Sequence, residues 1–164
     1  MINEELTYRV LRNFGFVPTD DQRNAIEVFA RFMTDRNERS VMLLRGSAGT
    51  GKTSLAAAIV RTMQELKQRV SLLAPTGRAA KVFSLNAGQP AATIHRAIYR
   101  EKAFTGLDGK FNLNVNLFRD RLFMVDEASM ISLSAGNTTF GSGCLLDDLI
   151  QYVYNGRNCR LLLV

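Results

Sequence analysis

Gly46-Ser47-Ala48-Gly49-Thr50-Gly51-Lys52-Thr53 is the stretch that decides how the rest of this chain reads. Its glycines permit a tight turn in which consecutive backbone N–H groups converge on the phosphates of a nucleotide. In that arrangement Lys52 reaches the β- and γ-phosphates and the Thr53 hydroxyl ligates Mg²⁺. The flanks agree. Residues 40–45 (SVMLLR) form an apolar run of strand length, and residues 52–66 (KTSLAAAIVRTMQEL) are rich in helix formers. Strand, loop and helix in this order aim the positive end of the helix dipole at the phosphates.

Working outward, helices are expected over 4–14 and from Thr19 to about residue 35. In the second of these Ala25, Ile26, Phe29 and Phe32 recur at helical spacing. Residues 69–74 (RVSLLA) read as a strand stopped by Pro75. Thr76 and Thr93 are placed to cap helices over 77–85 and 94–102. Leu107-Asp108-Gly109 is a hairpin signal between Phe104 and Phe111. Strands follow at 122–125 and 161–164, separated by a Gly/Ser/Thr/Asn-rich loop over 132–143 and a helix over 145–154. Strands alternating with helices predict a single α/β domain over 1–164, a parallel sheet flanked by helices, with a small β-hairpin insertion at about 102–118.

Composition narrows the function classes. The chain has 164 residues, 46% of them hydrophobic, which suffices for one core. No apolar run is long enough to cross a membrane, and the start lacks the flanks of a signal peptide, so a soluble cytoplasmic protein is expected. Cys144 and Cys159 lack the number and spacing of a metal site or disulfide framework. The formal net charge of +6 favours an anionic partner. Arg78, Lys81, Arg96, Arg100 and Lys102 stand against Glu101 alone over residues 78–102, the density of a phosphate-backbone track or of a solvated helix face.

An ATP-hydrolysing site needs a second, acidic half. Residues 121–127 (RLFMVDE) supply an apolar strand ending in two carboxylates. Asp126 is placed to hold Mg²⁺, directly or through water, and Glu127 to orient and deprotonate the water that attacks the γ-phosphate.

Four segments together resemble the first motor domain of superfamily 1 DNA helicases of the RecD-like group. They are the phosphate loop, Ala74-Pro75-Thr76-Gly77-Arg78-Ala79-Ala80-Lys81, Thr93-Ile94-His95 and Asp126-Glu127-Ala128-Ser129-Met130. The resemblance spans roughly residues 15–164. It implies a P-loop NTPase (RecA-like) fold, ATP and Mg²⁺ as ligands, and 5′→3′ translocation on single-stranded DNA. It also implies a setting in recombination and repair, with other subunits as partners. Gln22 falls where these helicases read adenine. Its amide can donate and accept toward the N6/N7 edge, although Thr19-x-x-Gln22 is also a capping box. Thr76, Arg78, Thr93 and His95 fall in motifs that touch DNA in relatives, with helix capping and core packing as the local alternatives. Ser129 corresponds to a residue coupling the nucleotide and DNA sites. Phe104 and Phe111 bracket the position of a strand-separating pin, where an aromatic stack on a base is worth about 1–3 kcal/mol, with packing of a surface hairpin onto the domain as the equal alternative.

The family's Gly-Asp-x-x-Gln-Leu motif, expected just after residues 161–164, does not occur in the chain, and neither does a second motor domain with its arginines. An arginine finger is worth about 10³–10⁵ in rate. The 164 residues alone are therefore expected to bind nucleotide weakly, hydrolyse it slowly and unwind nothing. Two other readings fit parts of the sequence: a P-loop ATPase switch acting on protein partners, and a non-catalytic DNA-binding module.

Overall fold

A computed structural model describes residues 2–47, 49–101, 111–131 and 141–164. Two helices open the chain. α1 (Ile2–Phe14) buries Leu6, Val10 and Phe14, one stripe at four-residue spacing. α2 (Asp20–Thr34) starts with the full capping box: Thr19 Oγ1 accepts from the Gln22 N–H, and the Gln22 side chain accepts from the Thr19 N–H.

The sheet is laid down next. β1 (Val41–Leu43), α3 (Lys52–Glu65), β2 (Arg69–Ala74), α4 (Gly77–Ala87), β3 (Ala91–Thr93) and α5 (Ile94–Ile98) follow in order. β4 (Tyr99–Glu101), β5 (Phe111–Leu113), β6 (Arg121–Val125), a 3₁₀ turn at Ala128–Met130, α6 (Leu145–Asn155) and β7 (Arg160–Leu163) complete the described elements. Five strands form one sheet in the order β1-β7-β6-β2-β3, every neighbouring pair parallel. β4 and β5 form a separate antiparallel pair, with Tyr99 opposite Leu113 and Glu101 opposite Phe111.

Strand alternation splits the core into two layers. Val70, Leu72, Leu122, Met124 and Leu162 face α1, α2, α3 and Phe83 of α4. Leu73, Phe123, Val125, Leu161 and Leu163 face the other way, against Ile94 and Ile98 of α5 and Leu149, Tyr152 and Val153 of α6. This is the expected α/β architecture, a parallel sheet with helices on both faces. No helix among the described residues is long and apolar enough to cross a membrane.

Two expectations need correction. The helix expected over 94–102 ends at Ile98, because Tyr99 turns to extended backbone (φ −105, ψ 148) and starts β4. Its hydroxyl thereby reaches Asp148, with a donor–acceptor distance of 2.5 Å. β3 was not expected at all. Ala91-Ala92-Thr93 has little strand propensity and no apolar alternation, and its pairing along β2 supplies what the local sequence does not. The hairpin turn and Phe104 lie in residues 102–110, outside the described residues, as do residues 132–140 of the polar loop.

Candidate nucleotide site

The phosphate loop leaves the carboxyl end of β1, and Asp126-Glu127 leave the carboxyl end of β6, with β7 between them. Open parallel sheets place ligands in this crevice beyond the strand ends. Gly46, Gly49, Thr50, Gly51, Lys52, Thr53, Asp126, Glu127 and Ser129 line one pocket of about 650 Å³ there. Ser47 precedes the turn and is exposed, and Ala48 lies outside the described residues.

Hydrogen bonds inside the loop set its shape. Thr50 Oγ1 donates to the Ser47 carbonyl at 2.7 Å, and Lys52 Nζ donates to the Gly46 carbonyl. Glycine is required for two separate reasons. Gly49 and Gly51 sit at φ 81 and 84, in the left-handed region that side chains resist. Neighbours also press on the loop: a Cβ on Gly46 would lie 2.8 Å from Thr50 Oγ1, and one on Gly51 2.7 Å from Gln22 Nε2. Backbone this bare is what close approach of phosphate oxygens demands.

Gln22 ties α2 to that loop. Its Oε1 accepts from the Thr19 N–H at 2.9 Å while its Nε2 donates to the Thr50 carbonyl at 3.1 Å. Capping and loop contact are therefore made by one side chain at once. The capping box was legible as a pattern; the bond to Thr50, 28 residues away, was not.

The acidic side is held by main-chain bonds. The Asp126 N–H donates to the Leu73 carbonyl at 3.0 Å, extending the β2–β6 ladder past the strand. Asp126 Oδ1 accepts from the Glu127 N–H at 2.9 Å, and the Ala128 N–H donates to the Val164 carbonyl at 3.0 Å. Glu127 itself takes φ 55, a left-handed conformation unusual for a residue with a side chain. Such strain of about 1–3 kcal/mol persists where the surroundings enforce it, often at functional sites.

The Thr53 hydroxyl and the Asp126 carboxylate are hard oxygen donors, the ligand type that suits Mg²⁺. Among the described residues no cluster of three or more His, Cys, Asp or Glu exists that would make an all-protein metal cage. That fits an ion held by few protein ligands together with substrate phosphates.

The other sequence candidates lie outside this pocket. Thr76 and Thr93 cap α4 and α5, accepting from Ala79 N–H at 3.1 Å and Arg96 N–H at 3.2 Å. They follow the carboxyl ends of the adjacent strands β2 and β3, so they share one edge of the sheet with Arg78, which is exposed. His95 is half-buried with its ring 5.7 Å from the Tyr99 ring, and burial pushes its pKa below the ordinary histidine value. Phe111 opens β5 opposite Glu101.

Sequence reasoning missed Asp148. This carboxylate in α6 is buried; it accepts from Tyr99 Oη, and from the Ser142 N–H at 3.1 Å and Ser142 Oγ at 2.8 Å. Burial, aided by that carboxylate, pushes the Tyr99 hydroxyl pKa up. Asp148 stands on the buried stripe of α6 with Leu149, Tyr152 and Val153, and the local sequence does not name its partner 49 residues away.

Fold and site together define an α/β phosphate-loop domain with a paired acidic strand end. The chain belongs to the AAA domain family, whose model matches residues 18–141. Among curated proteins it is similar to an uncharacterized protein of Methanocaldococcus jannaschii, 28% identical over 85% of this chain and 13% of that protein. It is 29% identical to the ATP-dependent RecD2 DNA helicase of Deinococcus radiodurans, over 73% of this chain and 17% of the helicase. It is 32% identical to the ATP-dependent DNA helicase dda of Enterobacteria phage T4, over 47% of this chain and 17% of that protein. The chain thus spans less than a fifth of the length of each of these relatives.

Proposed function

We propose that this domain is the ATP-hydrolysing half of a motor that moves on single-stranded DNA. The observation that carries the reading is the shared pocket, in which Lys52 and Thr53 face the strand-end acids Asp126 and Glu127. Two relatives bear the names of ATP-dependent DNA helicases, and four segments of this chain resemble superfamily 1 helicase motifs in order and spacing.

In this reading the loop N–H groups of residues 46–53 and Lys52 Nζ cradle the triphosphate, and Lys52 exchanges its bond to the Gly46 carbonyl for a phosphate oxygen. Thr53 and Asp126 hold Mg²⁺, which when bound neutralises charge developing on the phosphates. Glu127 takes a proton from water as the water oxygen bonds to the γ-phosphorus and the β–γ bridging bond breaks. Gln22 reads adenine by releasing one of its two bonds, so nucleotide arrival is felt at the start of α2. Thr76, Arg78, Thr93 and His95 form the DNA-facing edge, at the same carboxyl end of the sheet as the γ-phosphate. Unwinding requires the second motor domain of the RecD-like group. The 164 residues alone bind Mg-nucleotide weakly, turn it over slowly and do not unwind.

The AAA domain match keeps a second reading open, an ATPase switch that remodels a protein partner. ATP hydrolysis by the full-length gene product, with and without single-stranded DNA, separates the two. Stimulation by DNA is expected, and its absence sinks the motor assignment. Lys52→Ala is expected to lose nucleotide binding, whereas Glu127→Gln keeps binding and loses about 10²–10⁴ in turnover, the scale of general base catalysis.

A further inference from the structure

The amino ends of the strands, opposite the nucleotide pocket, carry a charge cluster that the proposed hydrolytic site leaves unused. Three turns meet there. Arg69 of β2 is in register with Arg121 of β6, and Arg119 bridges to Arg157 just before β7. Neighbouring parallel strands are about 4.8 Å apart, so these are like charges held side by side. Lys67 adds a fifth cation, and Lys67, Arg69, Arg119 and Arg157 are exposed.

The turns are bonded to one another. Gln68 Nε2 donates to the Asp120 carbonyl, the Asp120 N–H to the Arg157 carbonyl at 2.9 Å, and Asn158 Nδ2 to Asp120 Oδ1 at 2.7 Å. Asp120 is the one carboxylate in the three turns. Among the described residues no carboxylate forms an ion pair with any of the four arginines.

Arg121 is the centre of the cluster. Its guanidinium lies 3.8 Å over the Phe118 ring and donates from Nη1 to Ser71 Oγ at 2.9 Å. Among the described residues its buried Nε has no hydrogen-bond partner. Burial and the facing Arg69 charge both draw its pKa down. Uncompensated like charge is costly in the free protein, and an anion bound at the exposed arginines relieves it.

We propose that this end of the sheet is a second nucleic-acid contact, taking the phosphates of single-stranded DNA that extends beyond the strand held at the Thr76–Thr93 edge. The proposal rests on the DNA-motor reading above. Four of the five cations are arginines, whose planar forks match phosphate oxygens. Phe118 beside the cluster is 38% exposed and offers aromatic surface on which a base can stack, a contact that nucleic acid uses and an acidic peptide does not. β2 is six residues long and rises about 3.3 Å per residue, so roughly 20 Å separate the two ends. A trinucleotide cannot touch both, whereas a strand of some tens of nucleotides can.

The test uses the full chain with Arg119→Glu plus Arg157→Glu, neither side chain having a hydrogen bond among the described residues. Arg119→Gln plus Arg157→Gln serves if charge reversal prevents folding. Fluorescent oligothymidylates of about 3 and about 30 nucleotides bracket common single-strand site sizes. The expected result is at least a tenfold loss for the long probe, with the short probe and Mg-nucleotide binding unchanged. The slope of log affinity against log salt should fall by about 1.4, two lost contacts at roughly 0.7 each. Unchanged long-probe binding, in a background where Arg78→Ala with Lys81→Ala does weaken it, overturns the second contact and leaves the DNA-motor reading standing. Failure of the wild type to bind either probe ends both. Capture of a polyglutamate peptide, lost in the double variant while DNA binding is not, assigns the surface to an acidic protein and overturns the proposal.

Discussion

Glu127 shows the conflict between stability and chemistry in a single residue. Its backbone sits at φ 55, tied by its N–H to Asp126 Oδ1, while the following Ala128 N–H is tied to the Val164 carbonyl. Those bonds swing the side chain into the pocket and force a conformation that only glycine adopts freely. Glu127→Gly and Glu127→Ala should therefore differ in stability in an unusual direction. Glycine is normally the weaker choice, because it enlarges the unfolded ensemble, yet at positive φ alanine carries the strain. Glu127→Gly is expected to be more stable than Glu127→Ala by about 1 kcal/mol, or roughly 2–4 °C in Tm for a chain of this size. Both should be inactive in ATP hydrolysis. Thermal unfolding of the two variants decides it, and an alanine variant that melts higher means the turn is not strained.

Elements are joined by contacts that skip far along the chain, and Arg160 is the clearest of these. It begins β7 and is almost wholly buried, yet among the described residues no carboxylate forms an ion pair with it. Its Nη1 donates to the Phe32 carbonyl at 2.9 Å and its Nη2 to the Asp35 carbonyl. These carbonyls end α2, where the helix dipole is negative, so the guanidinium caps α2 from a strand 125 residues later. A lysine keeps the charge and loses the fork. Arg160→Lys is expected to cost about 1–3 kcal/mol, read as a lower urea midpoint with an unchanged slope. An unmoved midpoint means that water replaces the guanidinium without loss. Contacts of this kind explain what the sequence revealed and what it withheld. The phosphate loop, the strand that ends in Asp126-Glu127 and the helix caps at Thr19, Thr76 and Thr93 are patterns within a few residues, so composition and spacing expose them. β3, the early end of α5 and the bond from Gln22 to Thr50 depend on partners elsewhere in the fold. Local propensity is silent there, since Ala91-Ala92 pairs only because β2 lies alongside.

At the scale of the molecule, one sheet serves two cores. Successive residues of β6 and β7 point alternately into the α1–α2–α3 layer and the α5–α6 layer, so Leu161 and Leu162 are neighbours in sequence but belong to different cores. Neither layer can come away without exposing the strand residues it covers, which predicts that both melt together. The tyrosines make this measurable. The chain has no tryptophan and four tyrosines, and of these Tyr99, Tyr152 and Tyr154 pack in or against the α5–α6 layer. Tyrosine fluorescence therefore reports mainly one core, while far-ultraviolet circular dichroism reports all the helices. Leu162→Ala removes buried side-chain volume from the opposite core, a change that costs about 2–5 kcal/mol. With a urea slope of about 2–3 kcal/mol per molar, the midpoint should fall by roughly 1–2 M. If the sheet couples the layers, the fluorescence midpoint falls by the same amount as the dichroism midpoint, although no tyrosine of that layer touches the altered core. Separate midpoints would mean two units with independent stabilities. In that case nucleotide binding at the β1–β6 crevice would steady one face alone, and the proposed coupling of that crevice to a DNA-contacting edge through the sheet would lose its physical basis.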